Sequence, residues 1–295
     1  MSEFSIIKIG TRGSDLALWQ ANFVREELEK LGHTVEINII HTQGDKIQDL
    51  SFDKLEGKGF FTKEIEAALL SKEVDLAVHS HKDLETTPAA GLMIAAVSDR
   101  EDPSELLLAN PGAIDSTELW GLKKNAIIGT SSARRKSQLL ALRPDLQIKD
   151  LRGNVPTRIK KLKTEGYDAI LLAKAGVNRL NLDLTDLHVE VLDPTVFVPA
   201  PAQGVLGLQI RTEDSRLAEI LSNLNHTYTA QKIELERNVL RLMEGGCQLP
   251  LGVYCDGKTV YVAHAKTSSE AANYFTFAYE NQNQLAQSIV DSLSK

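Results

Sequence analysis

Cysteine is scarce in this sequence, which contains only Cys247 and Cys255. Two cysteines do not form a disulfide framework of the kind that small secreted domains need. No apolar run approaches the roughly 20 residues that a membrane-spanning helix requires. Residues 1–4 also lack the basic-then-apolar pattern of a signal peptide. These absences predict a cytoplasmic protein that has no membrane partner.

An excess of positive charge is also missing, because the formal net charge is −7. This balance argues against nucleic acid or an anionic membrane surface as the partner, although local basic clusters could still bind small anions. The sequence has no phosphate-binding loop and no dinucleotide-binding glycine signature. Its length of 295 residues predicts two or three domains with a sizeable core.

Strand and helix patterns alternate twice along the chain. The first series has strands at 5–11, 35–40, 75–79 and 92–97, with Ser14 as the cap of a helix that stops at Gly32, and a second helix at 62–70. The second series has strands at 126–129, 146–149 and 168–172, with helices at 132–142 and 156–163. Such alternation predicts parallel sheets covered by helices.

The two series resemble each other. The motif I-G-T at 9–11 is echoed at 128–130, and D-L-A-V at 75–78 is echoed by D-A-I-L at 168–171. We interpret the chain as two similar α/β lobes around a cleft, with the turns at the strand ends available to a ligand.

A proline-rich crossover at 198–203 precedes a strand that returns to the first sheet at 204–210, followed by helices at 215–224 and 230–242. About three strands and a last helix near 285–293 form a small α+β unit. The predicted domains are residues 1–102 with 201–222, residues 103–200, and residues 223–295. Residues 43–61 are rich in glycine and poor in periodicity, which predicts a mobile loop.

Several arginines fall at turns. Arg134 and Arg135 lie in the first turn of a helix, where cations are disfavoured, behind the hydroxyls of Thr130 and Ser132. This arrangement suits an anion, although a solvated basic face explains it too. Further arginines lie near other turns: Arg12, Arg152, Arg158 and Arg179. Together they favour a ligand with many carboxylates or phosphates.

Four other residues are candidate functional residues: Asp83, His79, His81 and Cys247. Asp83 follows Lys82 at a strand end and could oppose a developing positive charge, or simply belong to a surface turn. His79 and His81 form an H-x-H pair without a clear third ligand, so no metal is expected. Cys247 stands in E-G-G-C-Q-L-P, where two glycines open the backbone. It is either a packed hydrophobic residue or the attachment point of something large, and the latter would require a reactive electrophile.

Seven segments together resemble the porphobilinogen deaminase (hydroxymethylbilane synthase) family, in the family's order and over nearly the whole chain. They are I-G-T-R-G-S-D-L-A-L-W-Q (9–20), E-G-K-G-F-F-T-K-E-I-E (56–66), D-L-A-V-H-S-H-K-D (75–83), R-E-D-P (100–103), I-G-T-S-S-A-R-R (128–135), L-R-G-N-V-P-T-R (151–158) and the segment from L-E-R-N to E-G-G-C-Q-L-P-L-G (235–252). The resemblance implies two lobes like those of periplasmic binding proteins and a small third domain.

The resemblance also implies an enzyme that joins four molecules of porphobilinogen head to tail, each losing ammonia to give an azafulvenium cation. It implies that Asp83 is catalytic and that Cys247 holds a dipyrromethane cofactor through a thioether. The implied carboxylate-binding residues are Arg12, Ser14, Lys82, Thr130, Ser132, Arg134, Arg135, Arg152, Arg158 and Arg179. Lys54, Lys58 and Phe61 fall in the family's active-site loop, and the family is usually monomeric.

The sequence departs from the family's pattern at a few positions, because Gln43 replaces a common arginine, Glu85 a common proline, and Pro201-Ala202 the usual x-Gly of P-A-x-G-Q-G. These departures affect the loop's charge contacts and the stiffness of the crossover. Two other functions compete with the enzyme: a non-catalytic two-lobed anion-binding protein and, more remotely, a metallohydrolase built on His79 and His81.

Overall fold

The computed structural model describes residues 6–42, 62–246, 248–280 and 282–294. Their contacts divide them into two units. The first unit holds residues 6–42, 62–101 and 205–231, and the second holds 102–204 and the described residues from 232 onward. In the described part, no helix is long and apolar enough to cross a membrane.

The first unit is built on a five-stranded sheet with the order β2-β1-β3-β10-β4. Its strands are β1 (Ile7–Thr11), β2 (Val35–Ile39), β3 (Leu76–Ser80), β4 (Leu92–Val97) and β10 (Leu206–Arg211). β1 is parallel to β2 and β3, whereas β10 is antiparallel to β3 and β4. Its helices are α1 (Asp15–Lys30), α2 (Lys63–Leu70) and α6 (Ser215–Ser222), and they bury leucine, isoleucine and valine side chains against the sheet. α7 (Thr227–Leu242) begins in this unit and ends in the other.

The second unit repeats that plan in a sheet with the order β7-β6-β8-β5-β9. Its strands are β5 (Glu105–Ala109), β6 (Ile127–Gly129), β7 (Gln147–Lys149), β8 (Ala169–Ala173) and β9 (His188–Leu192). β6 is parallel to β7 and β8, and β5 is antiparallel to β8 and β9. Its helices are α3 (Ala133–Leu142), α4 (Val155–Thr164) and α5 (Lys174–Leu180), and two apolar clusters form its core.

The second unit also contains a three-stranded antiparallel sheet with β12 at its centre. Its strands are β11 (Leu251–Cys255), β12 (Thr259–His264) and β13 (Asn273–Ala278), and α8 (Gln282–Leu293) follows them. Residues of α7, β11, β12 and α8 form its core. This is the small α+β unit that the sequence predicts.

The predicted two-lobed α/β fold with a small third part is confirmed by these sheets. The predicted parallel pairing is confirmed for three strands of each five-stranded sheet, whereas the remaining strands pair antiparallel. Three elements were missed: β5, β9 and α5. β5 is a short all-buried run, and α5 contains Gly176, which weakens a helical pattern. The predicted domain boundaries stay a prediction.

Candidate functional site

In the first unit, Arg12 and Ser14 occupy the turn that connects β1 to α1. The Ser14 hydroxyl caps α1 by accepting a hydrogen bond from the Ala17 amide at 3.4 Å. Such a cap satisfies one of the amides that a helix start leaves without a partner. The turn is thereby fixed, with the Arg12 side chain half-buried at the end of the strand.

Lys82 and Asp83 lie in a short 3-10 turn, His81–Asp83, directly after β3. Because β1 and β3 are parallel neighbours, their carboxyl ends lie at the same edge of the sheet. Asp83 is exposed, and no hydrogen bond to it is found within the part of the chain that the structure describes. The turn therefore presents a carboxylate next to the turn that carries Arg12.

A pocket of about 520 Å³, including solvent at its mouth, brings these residues together. Arg12, Ser14 and Asp83 all line it, so three of the predicted site residues share one concave surface. Its remaining lining residues come from α1, from α2 and the residue before it, and from β3: Leu16, Ala17, Gln20, Thr62, Ile65, Val78, His79 and Ser80. A few polar groups that converge on one concave surface are typical of ligand sites.

Gln20 and His79 line the pocket without having been predicted as binding residues. The Gln20 amide donates to the Ser80 hydroxyl at 2.8 Å, which ties α1 to the end of β3. His79 was considered only as a metal ligand. In the described residues, no cluster of three or more His, Cys, Asp or Glu side chains could hold a metal ion. The signal for Gln20 was its place at the end of the motif I-G-T-R-G-S-D-L-A-L-W-Q.

In the second unit, the predicted anion-binding residues gather at the start of α3. The Ser132 hydroxyl caps the helix by accepting from the Arg135 amide at 3.4 Å, and the Ser132 amide donates to the Thr130 hydroxyl at 3.2 Å. Arg134 and Arg135 follow in the first turn, as the sequence predicts. Two cations at the positive end of a helix dipole need an anion nearby.

That anion is Glu105 of β5, whose side chain is fully buried. One carboxylate oxygen accepts from Arg134 Nη2 and the other from Arg135 Nη2, both at 2.6 Å. Burial lowers the pKa of Arg134, although the Glu105 charge opposes this. The guanidinium groups also donate to the carbonyls of Val198 and Leu171. Sequence reasoning missed Glu105 because it begins a short apolar run that was not predicted as a strand.

These contacts hold the Arg134–Arg135 pair rigidly but do not use all of its donors. Arg135 Nε is buried and has no hydrogen-bond partner among the described residues. A buried guanidinium N–H without an acceptor is costly. One donor of the pair is therefore unsatisfied in the described residues, and contact of the pair with ligand carboxylates stays a prediction.

The other three arginines lie at the same edge of the second sheet, because β7, β6 and β8 are parallel and adjacent. Arg152 and Arg158 lie in and after the turn that follows β7, and Arg158 Nε donates to the Gly153 carbonyl at 2.7 Å. Arg179 belongs to α5 and donates to the Gly204 carbonyl at 2.7 Å. Five arginines at one sheet edge form a donor set suited to a polycarboxylate.

Cys247, Lys54, Lys58, Phe61 and Gln43 lie outside the described residues, so the predictions for them stay predictions. Cys255 is described. It is a free, fully buried cysteine, and burial raises the pKa of its thiol to about 11. A thiol with that pKa is almost entirely protonated at neutral pH, so Cys255 is a poor nucleophile.

The chain is similar to curated bacterial proteins over most of its length. It is 46% identical over 258 residues to a porphobilinogen deaminase of Oceanobacillus iheyensis, covering 86% of this chain and 82% of the relative. It is 42% identical over 291 residues to a porphobilinogen deaminase of Lawsonia intracellularis, covering 97% and 90% respectively. Residues 7–219 match the family model described as porphobilinogen deaminase, dipyromethane cofactor binding domain.

Solved structures show a more distant likeness. A putative methionine-binding lipoprotein of Bacillus subtilis has a TM-score of 0.44 at 13% identity, over 75% of this chain and 90% of that one. An arginine-specific periplasmic binding protein of Salmonella typhimurium has a TM-score of 0.41 at 14% identity, over 76% and 93% respectively. The sequence relatives, rather than these structures, determine the family.

Proposed function

Because this chain belongs to the porphobilinogen deaminase family, we propose that the pocket of its first unit is where the family's reaction takes place. The activity is that of a transferase of tetrapyrrole biosynthesis with a dipyrromethane cofactor. What remains for proposal is how the side chains of this chain divide the work, and the pocket with Arg12, Ser14 and Asp83 supports the division given below.

The substrate sets two requirements for the site. Porphobilinogen carries an acetate, a propionate and an aminomethyl group, and loss of ammonia from it leaves a resonance-stabilised cation. Its carboxylates need cationic or hydrogen-bond-donating partners, and the cation needs an anion at short range. Four molecules are joined head to tail, so the number of carboxylates increases with each addition.

Asp83 meets the requirement for an anion. Its carboxylate lines the pocket, and no described residue donates a hydrogen bond to it. At about 4 Å and an effective dielectric constant of about 20, one such charge stabilises a cation by roughly 4 kcal/mol. Arg12 and Ser14, on the same pocket wall, would bind a carboxylate of the same substrate. Lys82, next to Asp83, would add a further cation.

The second unit fits the dipyrromethane cofactor by the chemistry of its donors. A dipyrromethane with several carboxylates matches a sheet edge with five arginines and the hydroxyls of Thr130 and Ser132, and buried Arg135 Nε still lacks an acceptor in the described part. The residues that would hold it are Thr130, Ser132, Arg134, Arg135, Arg152, Arg158 and Arg179, with Cys247 as the point of attachment. When bound, the cofactor supplies the pyrrole carbon to which the first substrate ring is joined.

The test of the catalytic assignment is Asp83→Asn, which preserves the shape of the side chain and removes its charge. We expect the variant to fold, retain the cofactor by intact mass, and lose at least ~10²-fold in ammonia release and pyrrole coupling. Asp83→Glu is the matched control and should retain more activity, because the charge survives. Near-normal rates in cofactor-loaded Asp83→Asn would mean that another group stabilises the cation.

The test of the attachment site uses the two cysteines against each other. Cys247→Ser should fold without a covalent dipyrromethane, whereas Cys255→Ser should carry the adduct, because the protonated thiol of Cys255 is a poor nucleophile. Intact mass and peptide mapping measure both. An adduct on Cys255 would contradict the assignment. The same mass spectrum distinguishes the enzyme from a non-catalytic anion-binding protein, which would carry no linked pyrroles.

Membership of the family also supports two further proposals. The first is that the protein is a monomer, and the second is that it acts in the cytoplasm. Light scattering coupled to size exclusion checks the first, and a mass near twice that of the chain would contradict it. Cell fractionation checks the second, and recovery of the protein in a membrane or extracellular fraction would contradict it.

A further inference from the structure

Three side chains that are hydrogen-bonded in series lie at the pocket of the first unit. His79 Nε2 lies 3.0 Å from Gln209 Oε1, and Gln209 Nε2 donates to Glu66 Oε1 at 3.0 Å. His79 and Gln209 are buried on neighbouring strands, and Glu66 lies on α2. His79 is also a wall residue of the pocket, together with Arg12 and Asp83.

The hydrogen bonds from His79 to Gln209 and from Gln209 to Glu66 determine which nitrogen of His79 carries the proton. A carboxylate oxygen only accepts hydrogen bonds, so the Gln209 amide must turn its NH₂ group towards Glu66 and its carbonyl towards His79. A carbonyl also only accepts, so His79 must donate through Nε2. The proton is therefore held on Nε2 by Gln209, whose amide orientation is set in turn by Glu66.

The other nitrogen, Nδ1, must then carry a lone pair. Burial lowers the pKa of His79 to about 4, with a hydrogen bond to Gln209 opposing the change and the Arg12 charge adding to it. At neutral pH the ring is consequently uncharged and holds one proton, on Nε2. Within the described residues, no hydrogen bond to Nδ1 is found, and the residue as a whole is only 7% exposed.

We infer that Nδ1 of His79 is a hydrogen-bond acceptor for an N–H group of porphobilinogen in this pocket. The inference rests on the proposed function, which places the substrate there. A neutral acceptor suits substrate binding, because the substrate carries a cation into a pocket whose lining already contains the Arg12 charge. A protonated imidazole would repel that cation and would have no lone pair to offer. Asp83 supplies the charge, and His79 supplies a fixed direction.

The alternative is that His79 only supports the sheet through its bond to Gln209. Two substitutions separate the roles of the two nitrogens, because an asparagine amide reaches about as far as Nδ1 and a glutamine amide about as far as Nε2. In His79→Asn the acceptor near Nδ1 is preserved and the bond to Gln209 is lost. In His79→Gln the bond to Gln209 is preserved and the acceptor near Nδ1 is lost.

We expect cofactor-loaded His79→Gln to lose about 10-fold in kcat/KM for porphobilinogen, mainly through KM, because one hydrogen bond is worth about 1 kcal/mol or slightly more. His79→Asn should lose clearly less kcat/KM than His79→Gln, although it should unfold at a lower urea concentration because the bond to Gln209 is lost. The opposite order, or equal losses in both variants, would overturn the inference and leave a structural role.

A spectroscopic measurement on the unsubstituted holoenzyme covers the case in which a variant does not fold. Nitrogen-15 NMR of labelled histidine should show His79 as the neutral tautomer with its proton on Nε2. The Nδ1 resonance should move when a pyrrole with the substrate's carboxylates but no aminomethyl group is added. An unchanged Nδ1 resonance at saturating pyrrole would overturn the inference. This readout does not depend on turnover, so a failure of the Asp83 proposal remains distinguishable from a failure of this one.

Discussion

In the first unit, Asp75 accepts a hydrogen bond from the Lys8 amide at 3.0 Å, and its own amide donates to the Lys8 carbonyl at 2.8 Å. In the second unit, Asp168 makes the same two bonds with Ile127, both at 2.8 Å. Each aspartate thus ties the start of its strand, β3 or β8, to the parallel neighbour, β1 or β6. The short sequence echo D-L-A-V and D-A-I-L has this structural meaning.

The glycines of the two I-G-T motifs correspond in the same way. A Cβ on Gly10 would lie 2.9 Å from Val74, and one on Gly129 would lie 2.9 Å from Tyr167, the residues directly before the two aspartates. At both positions a side chain would clash with the start of the neighbouring strand, which favours glycine. The frameworks of the two sheets match at these positions.

The turns that follow the matched strands differ, and the chemistry differs with them. After β3 comes a 3-10 turn that exposes Asp83, whereas after β8 the chain enters α5 at once and carries Arg179. After β1 there is one arginine, and after β6 there are two, neutralised in part by Glu105. The comparison teaches that a repeated framework can carry different side chains on its turns: the first unit presents the carboxylate of Asp83 beside Arg12, and the second presents mainly arginines.

The largest expected effect concerns the buried contact of Glu105 with Arg134 and Arg135 in the second unit. Glu105→Gln removes the charge between two buried arginines and should destabilise the protein by about 3–5 kcal/mol. Glu236→Gln is the matched control: Glu236 is equally buried in the same unit, but it accepts from the amides of Ala202 and Cys255, at 2.8 and 2.9 Å. Urea unfolding measures both. Equal losses would mean that the arginine pair does not depend on Glu105.

The next effect tests the matched glycines. Gly10→Ala and Gly129→Ala should each cost about 1–3 kcal/mol, because their new Cβ atoms approach Val74 and Tyr167 too closely. Gly112→Ala is the control, since a Cβ there meets nothing within 4 Å, and it should change stability by less than about 0.5 kcal/mol. A large loss in one unit and none in the other would show that the correspondence is only superficial.

A smaller effect, with a pH dependence, comes from Asp168. Burial raises the pKa of this carboxyl, but hydrogen bonds from Lys123 and the Ile127 amide outweigh it, so the net shift is downward. Its contribution is therefore present above the pKa of the unfolded state and is lost as pH falls through the lower folded pKa. Asp168→Asn should cost about 1 kcal/mol at pH 7 and less in acid. A cost that does not shrink in acid would contradict the assignment.

The smallest effect is a gain, and it concerns Ala202 in the crossover. This buried residue has φ 62°, a left-handed conformation that disfavours a side chain. Relief of that strain by Ala202→Gly should exceed the added flexibility of glycine in the unfolded chain and stabilise the protein by about 0.5–1 kcal/mol. Thermal unfolding measures it. A lower Tm would show that packing around the Ala202 methyl group outweighs the backbone.

The sequence predicts most of this fold, because the helices and parallel strands carry clear local patterns. The caps at Ser14 and Ser132 were found from their position before apolar repeats, and both accept the expected amide. β9 could have been found from the alternating pattern of H-V-E-V-L. What no local pattern reveals is where β5 inserts, since its partners β8 and β9 are set by tertiary packing.

Site residues at the ends of strands could be predicted from the sequence. Buried residues within the strands that contact them could not. Asp83, Arg12 and Ser14 share a pocket because parallel strands end at one edge, which the sequence implies. Glu105 and Gln209 lie within strands at buried positions, and their partners are distant along the chain. Pairings of that kind depend on the sheet order, which motif spacing does not encode.

The position of β10 between β3 and β4 affects the order in which the chain can complete its parts during synthesis. The second sheet needs nothing beyond Leu192, whereas the first has no partner for the facing edges of β3 and β4 until residues up to Arg211 have left the ribosome. Open strand edges are prone to pairing with other chains. Of the two five-stranded sheets, the one whose strands are translated first is thus the second to be completed, so its open strand edges are exposed for longer during synthesis.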